Sequence, residues 1–142
     1  MEFVSPYIIA GIAGWVVSQL AKYVVASFKG GKIASYRQLY LSGNMPSAHS
    51  TTAVAVLTVI AIEDGLSSGL FGLALVFTSV VLYDAMMVRR SSGEQGVALT
   101  ALIKESKSNV RLPRVVMGHT PTEVAVGAII GVAVGLLVAL FV

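Results

Sequence analysis

Four long apolar runs constrain this chain more than any other feature. A transmembrane helix needs about 20 mainly apolar residues. Residues 6–28, 46–62, 66–88 and 121–142 each read as one span. Only 12% of the 142 residues are charged and 56% are hydrophobic, whereas a soluble domain carries roughly a quarter charged residues. The expected fold is therefore all-α: an integral membrane bundle of about four transmembrane helices, in one domain over residues 1–142. The first run carries Lys22 near its end. It lacks a basic leader and is too long for a signal-peptide core, so it is expected to be a retained helix. The second is short and polar at its start, as suits a helix entering from a polar pocket. The chain has no cysteine, which excludes thiol catalysis, disulfides and thiolate metal sites.

The charges are sorted. All ten basic residues, Lys22, Lys29, Lys32, Arg37, Arg89, Arg90, Lys104, Lys107, Arg111 and Arg114, fall in or beside the first and third connections. The second connection holds Glu63 and Asp64 and no base, and the C-terminus holds no charged side chain. The positive-inside rule puts both basic connections in the cytoplasm and both termini outside, which requires an even number of spans. The net charge of +3 is thus topological, and no nucleic-acid partner is expected. Residues 33–40 read as a short interfacial helix or an extended turn. Residues 96–103 read as an amphipathic helix on the membrane surface, and 106–113 as a loop. Gly127, Gly131 and Gly135 form a four-residue stripe that permits close helix packing in lipid, within the chain or between copies.

The two histidines lie in similar settings: Pro46-Ser47-Ala48-His49-Ser50 and Gly118-His119-Thr120-Pro121-Thr122-Glu123. Each sits beside a proline at the start of an apolar run. Proline favours the first turn of a helix, so both histidines are expected at helix N-termini, where free N–H groups attract anions. Both are expected on the cytoplasmic face, facing each other. His119 and Glu123 are four apart and can meet on one helical face. A carboxylate on one ring nitrogen fixes the tautomer and frees the other as a nucleophile or base. Thr120 to Glu123 is equally a capping box, with Glu123 satisfying a backbone N–H, and Ser47 is equally an ordinary cap. Asp84 lies near the cytoplasmic end of the third run; an ionisable residue within a span is functional by default, with a salt bridge to a neighbouring arginine as the plainer reading. Arg89 and Arg90 are topological anchors or phosphate holders, since guanidinium matches phosphate oxygens.

These residues resemble the type-2 phosphatidic-acid phosphatase and vanadium haloperoxidase superfamily, and specifically its small divergent membrane branch. Pro46-Ser47-Ala48-His49 resembles the superfamily's Pro-Ser-Gly-His, and Arg114-x4-His119-x3-Glu123 resembles its Arg-x5-His-x3-Asp. The earlier Lys-x6-Arg-Pro motif has no clean counterpart: Lys29 and Arg37 are separated by seven residues, with no proline after. The divergent branch matches better, at Asn44 to Ser50, Asp84 to Arg90, Gly93 to Gln95 and Gly118 to Val124, with Met87 in place of a glycine. The resemblance implies an integral membrane phosphatase of the cell membrane, acting at the cytoplasmic face on a lipid phosphate monoester or a polyprenyl phosphate or diphosphate. His119 would be the nucleophile, Glu123 its orienter, and His49 the acid and then the base. Ser47 and Arg114 would hold the phosphoryl oxygens, with Arg37, Arg89 and Arg90 as further holders and Asp84, Lys29 and Ser50 completing the pocket. No metal and no other cofactor is implied, because cations and helix ends take up the charge. Four helices are few to enclose a lipid, which leaves a homo-oligomer open.

Two further readings compete. One is a non-catalytic membrane protein that binds an anionic headgroup or a protein partner. The other is a small transporter coupled through Asp84, for which broken mid-membrane helices would be expected.

Overall fold

A computed structural model describes residues 4–30, 45–113 and 115–142, with the side chains of residues 29 and 30 outside that set. The described chain is helical: α1 (Pro6–Gly30), α2 (Ala48–Glu63), α3 (Gly69–Tyr83), a π-helical turn (Asp84–Val88), α4 (Arg89–Glu105) and α5 (Pro121–Phe141). Three helices are long and apolar enough to span a bilayer: α1, α5 and the continuous helix from Gly69 to Glu105. The fourth, α2, has 16 residues, about 24 Å at 1.5 Å per residue. The four apolar runs thus become four helices. The expected turn or helix over 33–40, with Arg37, lies outside the described residues, as does Arg114.

The short helix is the centre of the bundle. α2 packs on α1, α3 and α5, and it buries Ala48, Ser50, Thr51, Val54, Ala55, Val59 and Ile60. A helix surrounded by helices needs no polar face, which explains an apolar run without amphipathic period. Ala10, Ala55, Val59 and Val134 form its apolar contact cluster. The glycine stripe of α5 is what lets α2 come so close. A Cβ at Gly131 would stand 2.7 Å from the Thr51 carbonyl, and one at Gly135 would stand 2.6 Å from Thr58 Cβ. The stripe is therefore spent on packing within one chain. Hydroxyls inside the bundle bond back along their own helices, Thr51 Oγ1 to the Ser47 carbonyl at 3.0 Å and Thr58 Oγ1 to the Val54 carbonyl at 2.8 Å. Each of these bonds gives a hydroxyl proton an acceptor in an apolar medium.

The helix ends sort as the charges do. Tyr7 at the start of α1 hydrogen-bonds Asp64 at the end of α2. The opposite end gathers the start of α2, the π turn and the start of α5. One expectation fails here. The third helix does not stop at Val88 to give a separate surface helix over 96–103; it runs on unbroken for 37 residues, about 55 Å, well beyond an apolar core of about 30 Å. Nothing in 89–105 stops a helix. Gly93 and Gly96 stay helical and receive the chain returning to α5: a Cβ at Gly93 would meet Met117 Cα at 3.0 Å, and one at Gly96 would meet Val115 Cγ2 at 3.2 Å. What hydropathy marks as the end of a span is only where the helix leaves the apolar layer.

Candidate active site

The two histidine motifs meet. The Ser47 N–H, at the start of α2, donates to the Glu123 carbonyl in the first turn of α5 at 3.3 Å. A Cβ at Gly127 would lie 2.8 Å from the Ser47 carbonyl. The histidines, however, stand on opposite sides of their caps. Ser47 caps α2 and Ala48 opens it, so Pro46 precedes the cap and His49 lies in the first turn. Thr120 caps α5 and Pro121 opens it, so His119 precedes the helix. Both histidines stand at helix N-termini, His49 just inside its cap and His119 just outside, because the order is Pro-x-x-His in one motif and His-x-Pro in the other.

His119 is 6% exposed and held at three points. Its N–H donates to the Ala85 carbonyl in the π turn at 3.0 Å. Its Nδ1 lies 3.3 Å from Glu123 Oε2. Gly118 seats the chain against the long helix, where a Cβ would collide with the Arg90 backbone N. Glu123 does both jobs that its sequence allowed: the same Oε2 accepts from Thr120 N at 2.9 Å, completing the capping box with Thr120 Oγ1. A carboxylate oxygen has two acceptor sites, so cap and orienter do not compete. With the Nδ1 proton given to Glu123, Nε2 carries the free lone pair. Burial pushes the His119 imidazolium below its ordinary pKa of 6.5; the hydrogen bond and charge of Glu123 oppose this, and Lys22 and Arg89 reinforce it. The ring is thus kept neutral at neutral pH.

His49 is exposed on α2, and the charged or titratable groups that face it are Arg89, His119, Lys22 and Asp84. Arg89 and Lys22 also face His119. Asp84 and Arg89 pair at 2.8 Å, Oδ2 to Nε. Five residues of α-helix would turn the two about 140° apart; the wider π turn is what brings them to one side, and such turns recur at functional sites. Both side chains are more than two-fifths exposed, so the pair adds little stability. It fixes where Arg89 points. Arg90 pairs instead with Glu94 at 3.1 Å, and these two line a 310 Å³ concavity together with His119, Glu123, Gly118 and Thr120.

Ser47 is fully buried, and its hydroxyl accepts from Ser50 Oγ at 2.9 Å and caps Ser50 N at 3.4 Å. Ser50 is buried with it. Both are committed to shaping the start of α2. The Lys29 side chain, Arg37 and Arg114 fall outside the described residues. One group went unremarked in the sequence beyond its charge. Lys22 is 8% exposed, no hydrogen bond or ion pair holds it among the described residues, and its charge faces both histidines and Glu123. Three residues earlier, Gln19 keeps a buried Oε1 without a partner among the described residues. The signal was present: a lysine six residues inside an apolar run is costly there. Among the described residues, no three His, Cys, Asp or Glu side chains group to hold a metal.

A buried imidazole oriented by a carboxylate, an exposed imidazole on the neighbouring helix start, and the charges of Lys22 and Arg89 acting on both mark one end of an all-helical membrane protein. Comparison with known proteins gives the class a family: the chain belongs to the Divergent PAP2 family, whose profile matches residues 3–134. It is 27% identical over 157 aligned residues to the uncharacterized membrane protein YuiD of Bacillus subtilis (strain 168), covering 99% of each chain. No solved structure matches it.

Proposed function

We propose that this protein is a metal-independent lipid phosphatase working through phosphohistidine. The observation that carries the reading is the asymmetry between the histidines: His119 is buried and oriented by Glu123, while His49 is open and shares Lys22 and Arg89 with it. His119 Nε2 forms a bond to phosphorus as the ester P–O bond breaks, and His49 gives its proton to the departing alkoxide. Water then attacks the phosphorus, loses its proton to His49, and the P–N bond breaks to release phosphate. Glu123 balances the imidazolium charge that develops on His119. Lys22 and Arg89 hold the phosphoryl oxygens, Arg89 as a fork fixed by Asp84, and Arg37 and Arg114 are further holders. The bond of Ser47 to Glu123 is the link that keeps the two motifs in register.

The substrate is a lipid phosphate monoester or a polyprenyl phosphate or diphosphate, reached from the cytoplasmic leaflet of the cell membrane. That orientation follows from the basic connections; a thiol reagent should label Ser108→Cys from the cytoplasmic side only, and labelling from outside intact cells would reverse it. A homo-oligomer would have to use a face other than the glycine stripe, which α2 occupies. A panel of lipid phosphates in detergent with EDTA tests the activity. Phosphate release is expected from the wild type and not from His119→Ala. Equal release by both, or release only with added metal, would refute it, and headgroup binding without release would favour the non-catalytic reading.

A further inference from the structure

A crevice between α2 and α3 begins about one helical turn along α2 from His49. It encloses about 170 Å³ and is lined by Thr52, Ala53, Val56 and Leu57 of α2 and by Ala74, Phe77 and Thr78 of α3. On α2, His49, Thr52, Ala53, Val56 and Leu57 follow one another at helical spacing, so they share one face. His49 is the first residue of the stripe. The lining begins about 4.5 Å from it along the axis and ends about 12 Å away. Each wall contributes an alanine, Ala53 from α2 and Ala74 from α3, where a larger residue would take up the space. Thr78 is 4% exposed and turns its hydroxyl to the Ala53 carbonyl at 3.4 Å, which leaves an apolar wall, while Phe77 is 64% exposed at the lip.

We infer that this crevice seats one hydrocarbon chain of a lipid phosphate whose phosphate lies between His49 and His119. The inference rests on the phosphatase reading for the headgroup, and it adds where the tail runs and how many chains the protein grips. The occupant is set by charge and by continuity. The polar end of the stripe faces Lys22 and Arg89, which select an anion, and the rest is apolar and directed into the membrane. A molecule that is anionic at one end and hydrocarbon beyond it matches both halves. The narrow crevice takes a single chain, so a two-chain lipid leaves its second chain in the bilayer. Lipid tails are as apolar as the lining, so seating the chain contributes little affinity; it aligns the ester bond with the imidazoles and discriminates by shape.

The test uses the full-length protein in detergent micelles and a non-hydrolysable long-chain alkyl phosphonate with a diazirine near the head of its chain. The probe is photolysed and the adducts are mapped by mass spectrometry. The same chain ending in an alcohol serves as control. Phosphonate adducts should concentrate on the crevice residues of α2 and on Ala74, Phe77 and Thr78 of α3, and the alcohol should not reproduce them. Ala74→Phe should lower them by about tenfold or more, the scale on which a methylene or two of steric conflict discriminates between substrates. Leu73→Phe, on the exposed face of α3, should leave them unchanged and controls for folding. Equal labelling by phosphonate and alcohol, or adducts spread over Leu73 and Val76, would reduce the crevice to ordinary lipid contact and overturn the inference. The readout needs no turnover. Crevice labelling in a protein that releases no phosphate would sink the phosphatase reading and keep the tail site, and phosphate release without crevice labelling would do the reverse.

Discussion

The two histidine motifs look alike in sequence and differ in almost every physical respect. His119 sits in coil just before its helix, buried, with its backbone tied to the π turn and its ring to Glu123. His49 sits inside its helix, exposed, with its ring free of any hydrogen bond to described residues. The difference comes from one or two positions relative to a proline and a cap. It teaches that a helix start offers two kinds of site. The residue before the cap can be locked by the capping box itself, while the residue after it is carried on the helix and left open. A nucleophile that must meet phosphorus along one line suits the locked position, and a group that must pass a proton to a departing alkoxide and then to water suits the open one.

The largest effect short of removing His119 should come from breaking the open half. His49→Ala should slow release from a lipid phosphate by roughly 10²–10⁴-fold, as loss of a general acid does. The loss should shrink for an aryl phosphate, whose leaving group needs no proton. An equal loss on both substrates would mean that the two histidines do not divide the work.

Glu123→Gln sharpens the locked half. Glutamine still fits a capping box, so thermal stability in detergent should hardly change, while kcat should fall by about 10²-fold as charge stabilisation is lost. The pH profile separates this from a structural effect. Neutral His119 is the competent form and its pKa already lies below 6.5, so the acid limb of kcat/KM falls below that value. Glu123 is the influence that raises the His119 pKa; without it the acid limb should move to still lower pH. A limb that stays in place with wild-type kcat would leave Glu123 a cap alone.

A smaller effect is expected at the π turn. Asp84→Asn removes the charge that fixes Arg89 without removing the arginine. KM for the lipid phosphate should rise by about tenfold, the scale on which a positioned charged hydrogen bond contributes, while kcat changes less. A drop in kcat with KM unchanged would put Asp84 in the chemistry instead.

How much of this was legible in the sequence follows from the same contrast. The four helices and the gathering of the motifs at one end could be read from apolar run lengths and charge placement, because the bilayer dictates both. The capping box was legible too, because its residues are consecutive. The continuation of the third helix past Arg89 was not: hydropathy reports where a helix leaves lipid, and only breakers report where it ends. The π turn has no residue signature, so Asp84 and Arg89, five apart, could not be seen to share a side. Lys22 was visible as a charge in a span and was read for topology alone, because what it faces, Glu123, lies a hundred residues away. The stripe of Gly127, Gly131 and Gly135 announced close packing, and its partner, α2, emerged only in the fold.

The central claim is that His119, and not His49, carries the phosphoryl group. Brief incubation with a radiolabelled lipid phosphate in EDTA, followed by denaturation and alkaline peptide mapping, tests it directly. The account predicts an acid-labile, alkali-stable label on the peptide bearing His119, persisting in His49→Ala and absent in His119→Ala. A label on the His49 peptide, or steady phosphate release with His119→Ala, would contradict it.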